Sequence, residues 1–178
     1  MTDYPIMSER ELIPVNIAVM TVSDSRTEAT DTSGKALVEK LTAAGHQLKE
    51  KCIVIDDIYR IREIISRWIA SPDVDVIITT GGTGLTGRDI TPEAVTPLLD
   101  KEIAGVGELF RWLSYQDIKT STVASRALGG VANATFVFCL PGSTGACITG
   151  WDEIIGPQLD YRNSPCNMVE LMPRLLEK

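Results

Sequence analysis

Residues 74–92 read VDVIITTGGTGLTGRDITP and combine three structural signals. An apolar, β-branched run predicts a buried strand, and four glycines follow within residues 81–87. Glycine adopts positive φ angles and lets backbone N–H groups approach a ligand that a Cβ would keep away. Thr91 and Pro92 are typical of a helix start. The segment therefore predicts a strand, a phosphate-binding loop and a helix.

Apolar segments recur along the rest of the chain in an alternating order of strands and helices. Residues 15–22, VNIAVMTV, predict a buried strand, and residues 33–44 predict a helix. A further strand lies over residues 52–55, and residues 57–69 have the spacing of an amphipathic helix. The strand near the C-terminus leads into a helix over about residues 143–159.

This order predicts an α/β fold of three layers (αβα), in which a mostly parallel, Rossmann-like sheet has helices on both faces. We expect one domain over residues 15–178, including a C-terminal tail, after an N-terminal extension of residues 1–14. The pairs Gly129-Gly130 and Asn133-Ala134 are typical of turns, so residues 125–131 are predicted to end a helix and turn.

The composition excludes several classes of function. A net charge of −7 and a pI near 4.8 argue against a nucleic-acid-binding surface, which is normally basic. The four cysteines form no C-x-x-C pair and His46 is the only histidine, so we expect no zinc site. The sequence has no basic and apolar leader and no membrane-length apolar run, which predicts a cytoplasmic protein without a membrane partner.

Two generic glycine motifs match this chain only in part. Residues 82–87 satisfy G-x-G-x-x-G, but Thr91 places the helix start too late for a dinucleotide-binding fingerprint. The same residues approach a P-loop, although Arg88 and Asp89 stand where lysine and a hydroxyl are needed. Asp89 has two interpretations: a structural carboxylate near a helix start, or a ligand of magnesium that carries a nucleotide's phosphates. The surrounding glycines favour the second.

Short polar motifs follow the other predicted strands, at the edge where open α/β sheets bind ligands. Asp57 either caps a helix or shares a cation with another carboxylate. Residues 23–26 form either an ordinary turn or part of the same pocket, and residues 141–143 repeat that pattern before the last helix. Arg111 and Arg126 are either surface charges or phosphate ligands.

The motif TTGGTGLTGRDITPEAV, with TVSDSR before it and GVGELFR, SRA and LPGS after it, resembles the molybdenum-cofactor biosynthesis family MoaB/MogA. The resemblance extends from about residue 15 to residue 159. It implies a molybdopterin-binding domain, whose ligand is a pterin with a dithiolene and a terminal phosphate. Active members transfer AMP from Mg-ATP to that phosphate and release pyrophosphate. Trimers, or hexamers made from two trimers, are also implied.

By position, the family's two catalytic carboxylates match Asp57 and Asp89, which would organise Mg²⁺ and the triphosphate of ATP. The positions that match the substrate and phosphate-binding loops are Ser23, Asp24, Thr80, Gly81, Gly82, Thr83, Gly84, Glu108, Arg111, Ser125, Arg126, Pro141, Gly142 and Ser143. We expect a molybdopterin adenylyltransferase, a nucleotidyltransferase. The alternative is a non-catalytic molybdopterin-binding or scaffold protein of the same pathway. A molybdate-insertion domain of a longer chain is a third interpretation, which the length disfavours.

Overall fold

The computed structural model describes residues 10–177, which fold into a six-stranded mixed sheet between two layers of helices. The strands are β1 (Asn16–Val22), β2 (Gln47–Val54), β3 (Val76–Thr80), β4 (Lys101–Glu102), β5 (Leu128–Ala132) and β6 (Thr135–Leu140). They lie in the order β2-β1-β3-β6-β5-β4, and the first four of these are mutually parallel. The three-layer, mostly parallel fold predicted from the sequence is thereby confirmed.

The helices cover both faces of this sheet. They are α1 (Thr32–Ala43), α2 (Ile58–Ile69), α3 (Thr91–Val95), α4 (Ala104–Ile118), α5 (Thr144–Gly150) and α6 (Gly156–Leu159). A π-helical segment, Trp151–Ile155, joins α5 to α6, so the helix predicted over residues 143–159 is nearly continuous. Three short 3₁₀ segments are Thr96–Leu98, Lys119–Ala124 and Val169–Arg174. No helix among residues 10–177 is long and apolar enough to cross a lipid bilayer.

Alternate side chains of β1 belong to two separate hydrophobic cores. Ile17 and Val19 pack on the face covered by α1, α4 and the last helices. Ala18 and Met20 pack on the opposite face, against α2 and α3. A strand buried on both faces needs apolar residues at every position, which explains the uninterrupted run that predicted it.

Strand β2 begins at Gln47, earlier than the predicted start at Cys52. It lies at one edge of the sheet, and its first three side chains are exposed. An edge strand tolerates polar and charged residues, so residues 47–51, QLKEK, contain no apolar run that could have predicted this part of the strand. The predicted N-terminal extension falls outside the described residues up to position 9.

Strand β5 stands where the sequence predicted the end of a helix and a turn, and that prediction is wrong. Gly129 and Gly130 lie within this strand, which pairs antiparallel with β6. A Cβ on Gly129 would lie 2.7 Å from the Val106 side chain, and one on Gly130 would lie 2.5 Å from the Leu99 side chain. The two glycines therefore make room for packing against the strand, which local sequence does not reveal.

The only histidine of the sequence, His46, is buried close to the start of β1. The Val15 N–H donates to its Nδ1 atom at 3.3 Å, and its ring packs edge-on against Trp151. Burial lowers the pKa of His46, so the imidazole is uncharged at neutral pH. Its role is in packing.

The ends of β1, β3 and β6 converge on Gly81. This residue has a φ of +102°, and a Cβ there would lie 2.2 Å from the Val22 carbonyl oxygen. Its N–H donates to the Leu140 carbonyl at 3.0 Å, and its own carbonyl accepts from Thr91 Oγ1 at 2.8 Å. A Cβ on Gly142 would lie only 3.2 Å from the Gly81 Cα. Gly81 thus fixes where three strand ends meet.

We expect Gly81→Ala to lower the free energy of unfolding by about 2 to 4 kcal/mol, because it adds both backbone strain and a clash. Gly105→Ala is the matched control, since Gly105 lies in α4 and a Cβ there meets open space. Alanine should raise helix stability at that position by up to about 1 kcal/mol. Urea unfolding followed by circular dichroism measures both. Equal stability of Gly81→Ala and the parent protein would contradict the assigned constraint.

Candidate functional site

A cavity of about 660 Å³ lies at the edge of the sheet where β1, β3 and β6 end. Loops after these strands form one wall, and α4 with the 3₁₀ segment after it forms the other. The sequence-predicted site residues that line this cavity are Ser23, Thr80, Gly81, Gly82, Thr83, Gly84, Asp89, Ser125, Pro141, Gly142 and Ser143. Their common location follows from the parallel strands, whose carboxyl ends share one edge.

The glycine loop after β3 presents unused backbone donors to this cavity. Within the described part of the chain, the N–H groups of Gly82 and Thr83 donate to no protein acceptor. Gly82 has a φ of +63°, a conformation that L side chains adopt rarely. Two free amides next to each other in a glycine-rich loop form a suitable cradle for an anion.

Asp89 closes the same loop through its carboxylate. Its Oδ2 atom accepts from the Thr86 N–H at 2.8 Å and from Thr86 Oγ1 at 2.6 Å. These hydrogen bonds, with a smaller contribution from the Gly84 N–H, lower the pKa of Asp89, which is therefore ionised at neutral pH. The loop thus carries a fixed negative charge beside its free amides.

The two acidic residues after β2 take different positions. Asp57 caps α2, because its Oδ1 atom accepts from the Tyr59 and Arg60 N–H groups, each at 3.0 Å. Asp57 is absent from the lining of the cavity, whereas its neighbour Asp56 lines it. Burial, and then the negative charges of Asp24 and Asp89, raise the pKa of Asp56. The family resemblance assigned the catalytic role to Asp57. The position of Asp57 directly before α2 was the signal that it caps this helix, which leaves Asp56 as the acidic residue of the cavity.

Asp24, predicted to bind substrate, instead pairs with an arginine of the glycine loop. Arg88 donates to its two carboxylate oxygens at 2.7 and 2.8 Å, and this bonding lowers the pKa of Asp24. Asp24 Oδ1 also accepts the Asp56 N–H at 3.1 Å. The pair links the loop after β1 to the loop after β3, although Asp24 itself is absent from the lining of the cavity.

Arg26 supplies the cavity with a positive charge that no described carboxylate neutralises. Of the described residues, only Arg26 and Arg88 bring a guanidinium or ammonium group to the lining, and Arg88 is paired with Asp24. Arg26 donates to the Thr30 carbonyl at 2.8 Å and forms no ion pair with residues 10–177. Ser23 Oγ accepts the Arg26 N–H at 3.2 Å, so this predicted ligand shapes the turn that holds Arg26.

Three other predicted residues, Glu108, Arg111 and Arg126, line a second cavity of about 520 Å³ next to α4. They are absent from the lining of the first cavity, whereas Ser125 lines both. Arg111 donates weakly to the Ser125 carbonyl at 3.5 Å, and Arg126 donates to carbonyl groups of the glycine loop. The structure therefore brings these three residues together, but at the second cavity and outside the lining of the first.

The thiols near the site are protonated at neutral pH. Burial raises the pKa of Cys147 to about 11 and that of Cys139 to about 12. Cys147 Sγ lies 3.0 Å from Thr80 Oγ1, whose hydroxyl also donates to the Pro141 carbonyl at 2.9 Å. These contacts are structural, because a protonated buried thiol is a weak nucleophile.

The acidic residues of the cavity fit a magnesium ion only in part. Among residues 10–177, no group of three or more aspartate, glutamate, histidine or cysteine side chains could hold a metal ion alone. Asp56 and Asp89 nevertheless line one cavity, and the charge of Asp89 contributes to the raised pKa of Asp56. Magnesium commonly takes one or two carboxylates and completes its shell with water and substrate phosphates. These two residues fit a magnesium ion that binds with a nucleotide.

Comparisons with known proteins agree on one group of relatives. Residues 18–161 match the family described as "Probable molybdopterin binding domain". The chain is 54% identical over 157 residues to molybdenum cofactor biosynthesis protein B of Escherichia coli, which covers 88% of this chain and 92% of that protein. It is 47% identical over 148 residues to the protein of the same name from Bacillus cereus, with 83% and 88% covered.

Solved structures of similar proteins share the fold. A crystal structure of molybdenum cofactor biosynthesis protein B superposes with a TM-score of 0.82 at 46% identity, covering 84% of this chain and 94% of that one. The tungsten cofactor synthesizing protein MoaB from Pyrococcus furiosus superposes with a TM-score of 0.73 at 38% identity, covering 80% and 91%.

We expect Asp56→Asn to stabilise the protein at pH 7 by up to about 1 kcal/mol after allowance for solvent screening. The folded protein raises the pKa of Asp56, so ionisation of this carboxyl costs stability. That cost is full above the folded pKa and disappears as the pH falls below the unfolded value of 3.8. The gain in Tm should therefore be present at pH 7 and vanish in acid, as scanning calorimetry can measure.

Asp57→Ala is the comparison variant, because it removes the cap of α2 and should cost about 1 kcal/mol. A lower Tm for Asp56→Asn than for the parent protein at pH 7 would show that the folded protein does not disfavour the charged form of Asp56.

Proposed function

We propose, since the chain belongs to the molybdenum-cofactor biosynthesis family MoaB/MogA, that its cavity binds molybdopterin and transfers AMP from Mg-ATP to the terminal phosphate of the pterin. Pyrophosphate is the second product. One observation carries the proposal: free loop amides, the carboxylates of Asp56 and Asp89, and the unpaired Arg26 line a single cavity. Such a set suits phosphoryl groups and a divalent cation better than it suits an uncharged ligand.

The reaction needs little covalent chemistry from the protein. A terminal phosphate oxygen of molybdopterin forms a bond to the α-phosphorus of ATP, and the bond from that phosphorus to pyrophosphate breaks. Alignment of the two substrates and neutralisation of developing charge supply most of the catalysis in phosphoryl transfer. The protonated thiol of Cys147, beside the site, and the uncharged imidazole of His46 are consistent with this chemistry.

The residues of the cavity divide this work. The N–H groups of Gly82 and Thr83 would donate to phosphoryl oxygens, and Arg26 would balance charge through its guanidinium. Asp56 and Asp89 would hold Mg²⁺, which when bound neutralises the triphosphate. We assign this role to Asp56 in place of Asp57 because Asp56 lines the cavity, whereas Asp57 caps α2 and does not line it.

The test uses purified protein, molybdopterin and Mg-ATP labelled at the α-phosphate. We expect a labelled pterin product, and we expect Asp56→Asn or Asp89→Asn to lower its rate of formation by about 100-fold or more. Asp57→Asn is the matched control, because asparagine caps a helix as well as aspartate, and its rate should stay within about 3-fold of the parent's.

The outcomes separate the candidate functions. Binding of molybdopterin without labelled product would identify a non-catalytic binding protein and contradict the transferase. A loss in Asp57→Asn equal to that in Asp56→Asn would return the catalytic role to Asp57.

We also propose that copies of this chain associate, as trimers or as hexamers of two trimers, through α4. This helix leaves Leu109, Trp112 and Tyr115 exposed, with 63% of the Trp112 surface accessible. Val123, in the 3₁₀ segment that follows, is 80% exposed. Large apolar side chains grouped on one surface are typical of protein interfaces.

For this surface we expect Trp112→Glu to shift the protein from an oligomer to a monomer in light scattering after gel filtration, because a charge would be buried at the interface. Tyr59→Glu is the matched control, since Tyr59 is 73% exposed on α2, outside this surface. A monomeric parent protein, or an unchanged mass for Trp112→Glu, would exclude the α4 interface.

A further inference from the structure

The structure assigns Arg126 a positioning role: its guanidinium and its backbone N–H bind carbonyl groups of the glycine loop and so hold the Asp89 carboxylate at the cavity. Only the identity of the ligand in this inference rests on the proposed function. The positioning role also replaces the expectation that Arg126 binds phosphate directly, because Arg126 is absent from the lining of the first cavity and its guanidinium is bound within the protein.

Three nitrogen atoms of the Arg126 side chain are already used by the protein. Nε donates to the Gly84 carbonyl at 2.8 Å, and Nη2 donates to the Asp89 carbonyl at 2.8 Å. Nη1 is paired with the Glu93 carboxylate. The backbone N–H of Arg126 donates to the Thr83 carbonyl at 3.2 Å. One residue thus binds three carbonyl groups of a single loop.

Because the peptide unit is planar, these contacts also fix the directions of the neighbouring N–H groups. In a trans peptide the C=O group and the following N–H group point in opposite directions, and the peptides of this loop are trans. Because Arg126 binds the Thr83 carbonyl, the Gly84 N–H points away from Arg126, and it contributes to the lowered pKa of Asp89. The Gly84 carbonyl likewise turns the Leu85 N–H away from Arg126.

The shape of the guanidinium suits this position. Its planar fork separates the donors that reach Gly84, Asp89 and Glu93, whereas a lysine offers one nitrogen at the end of a flexible stem. Glu93 lies in α3, which follows the loop, so Arg126 also joins the loop to that helix. Arg126→Lys should therefore retain only part of the positioning role.

The experiment follows hydrogen–deuterium exchange of the loop amides in the full chain, together with binding of Mg-ATP and of adenosine by calorimetry. We expect Arg126→Ala to speed exchange at Gly84 and Thr86, whose N–H groups bond the Asp89 carboxylate, by about 10-fold or more. It should also weaken Mg-ATP by about 10-fold, with adenosine affinity unchanged. A general loss of structure would weaken both ligands. Arg126→Lys should fall between Arg126→Ala and the parent protein, and Glu93→Gln should stay near the parent because both carbonyl contacts remain.

Arg62→Ala is the matched control. Arg62 also donates to two backbone carbonyls, those of Glu93 at 2.9 Å and Ala94 at 3.2 Å, but both lie outside the glycine loop. Its loop exchange and Mg-ATP affinity should match the parent's. Unchanged loop exchange in Arg126→Ala would overturn the positioning role, and a loss of Mg-ATP binding without faster exchange would identify a direct ligand instead. If the parent protein transfers no AMP, the proposed function fails while the exchange measurement still decides the role of Arg126.

Discussion

The cavity depends on how closely three strand ends approach one another at Gly81. The Val22 carbonyl of β1 occupies the place of a side chain at Gly81, and Gly142, after β6, approaches from the other strand. Any larger residue at position 81 would separate β1 from β3, and the loops that follow them would no longer share a wall. The geometry of the cavity is therefore a property of the packed sheet as much as of the glycine loop.

The central part of the fold was predictable because β1 and β3 are buried on both faces and therefore carry uninterrupted apolar runs. The edges of the sheet were less predictable. The first three side chains of β2, Gln47, Leu48 and Lys49, face solvent. In β5, Gly129 and Gly130 leave space for Val106 and Leu99. These features depend on neighbours that are distant along the chain, so no local pattern contains them.

For the site, sequence patterns identified loops more reliably than the directions of side chains. They identified the acidic pair after β2, but the cap of α2 uses Asp57 and leaves Asp56 in the cavity. Arg126 shows the same limit, because the carbonyl groups it binds belong to Gly84 and Asp89, 42 and 37 residues away. Residue types indicate the available chemistry, while the fold determines which atoms meet.

The buried state of His46 has a consequence for how the protein responds to its medium. This imidazole is uncharged at neutral pH, and the thiols of Cys52, Cys139 and Cys147 have pKa values of about 11, 12 and 11. These four buried or partly buried groups thus contribute little proton buffering near neutrality, because burial keeps each of them uncharged there. For the proposed ligand, acidification within that range would add a proton to a phosphate group, which has a pKa of about 6.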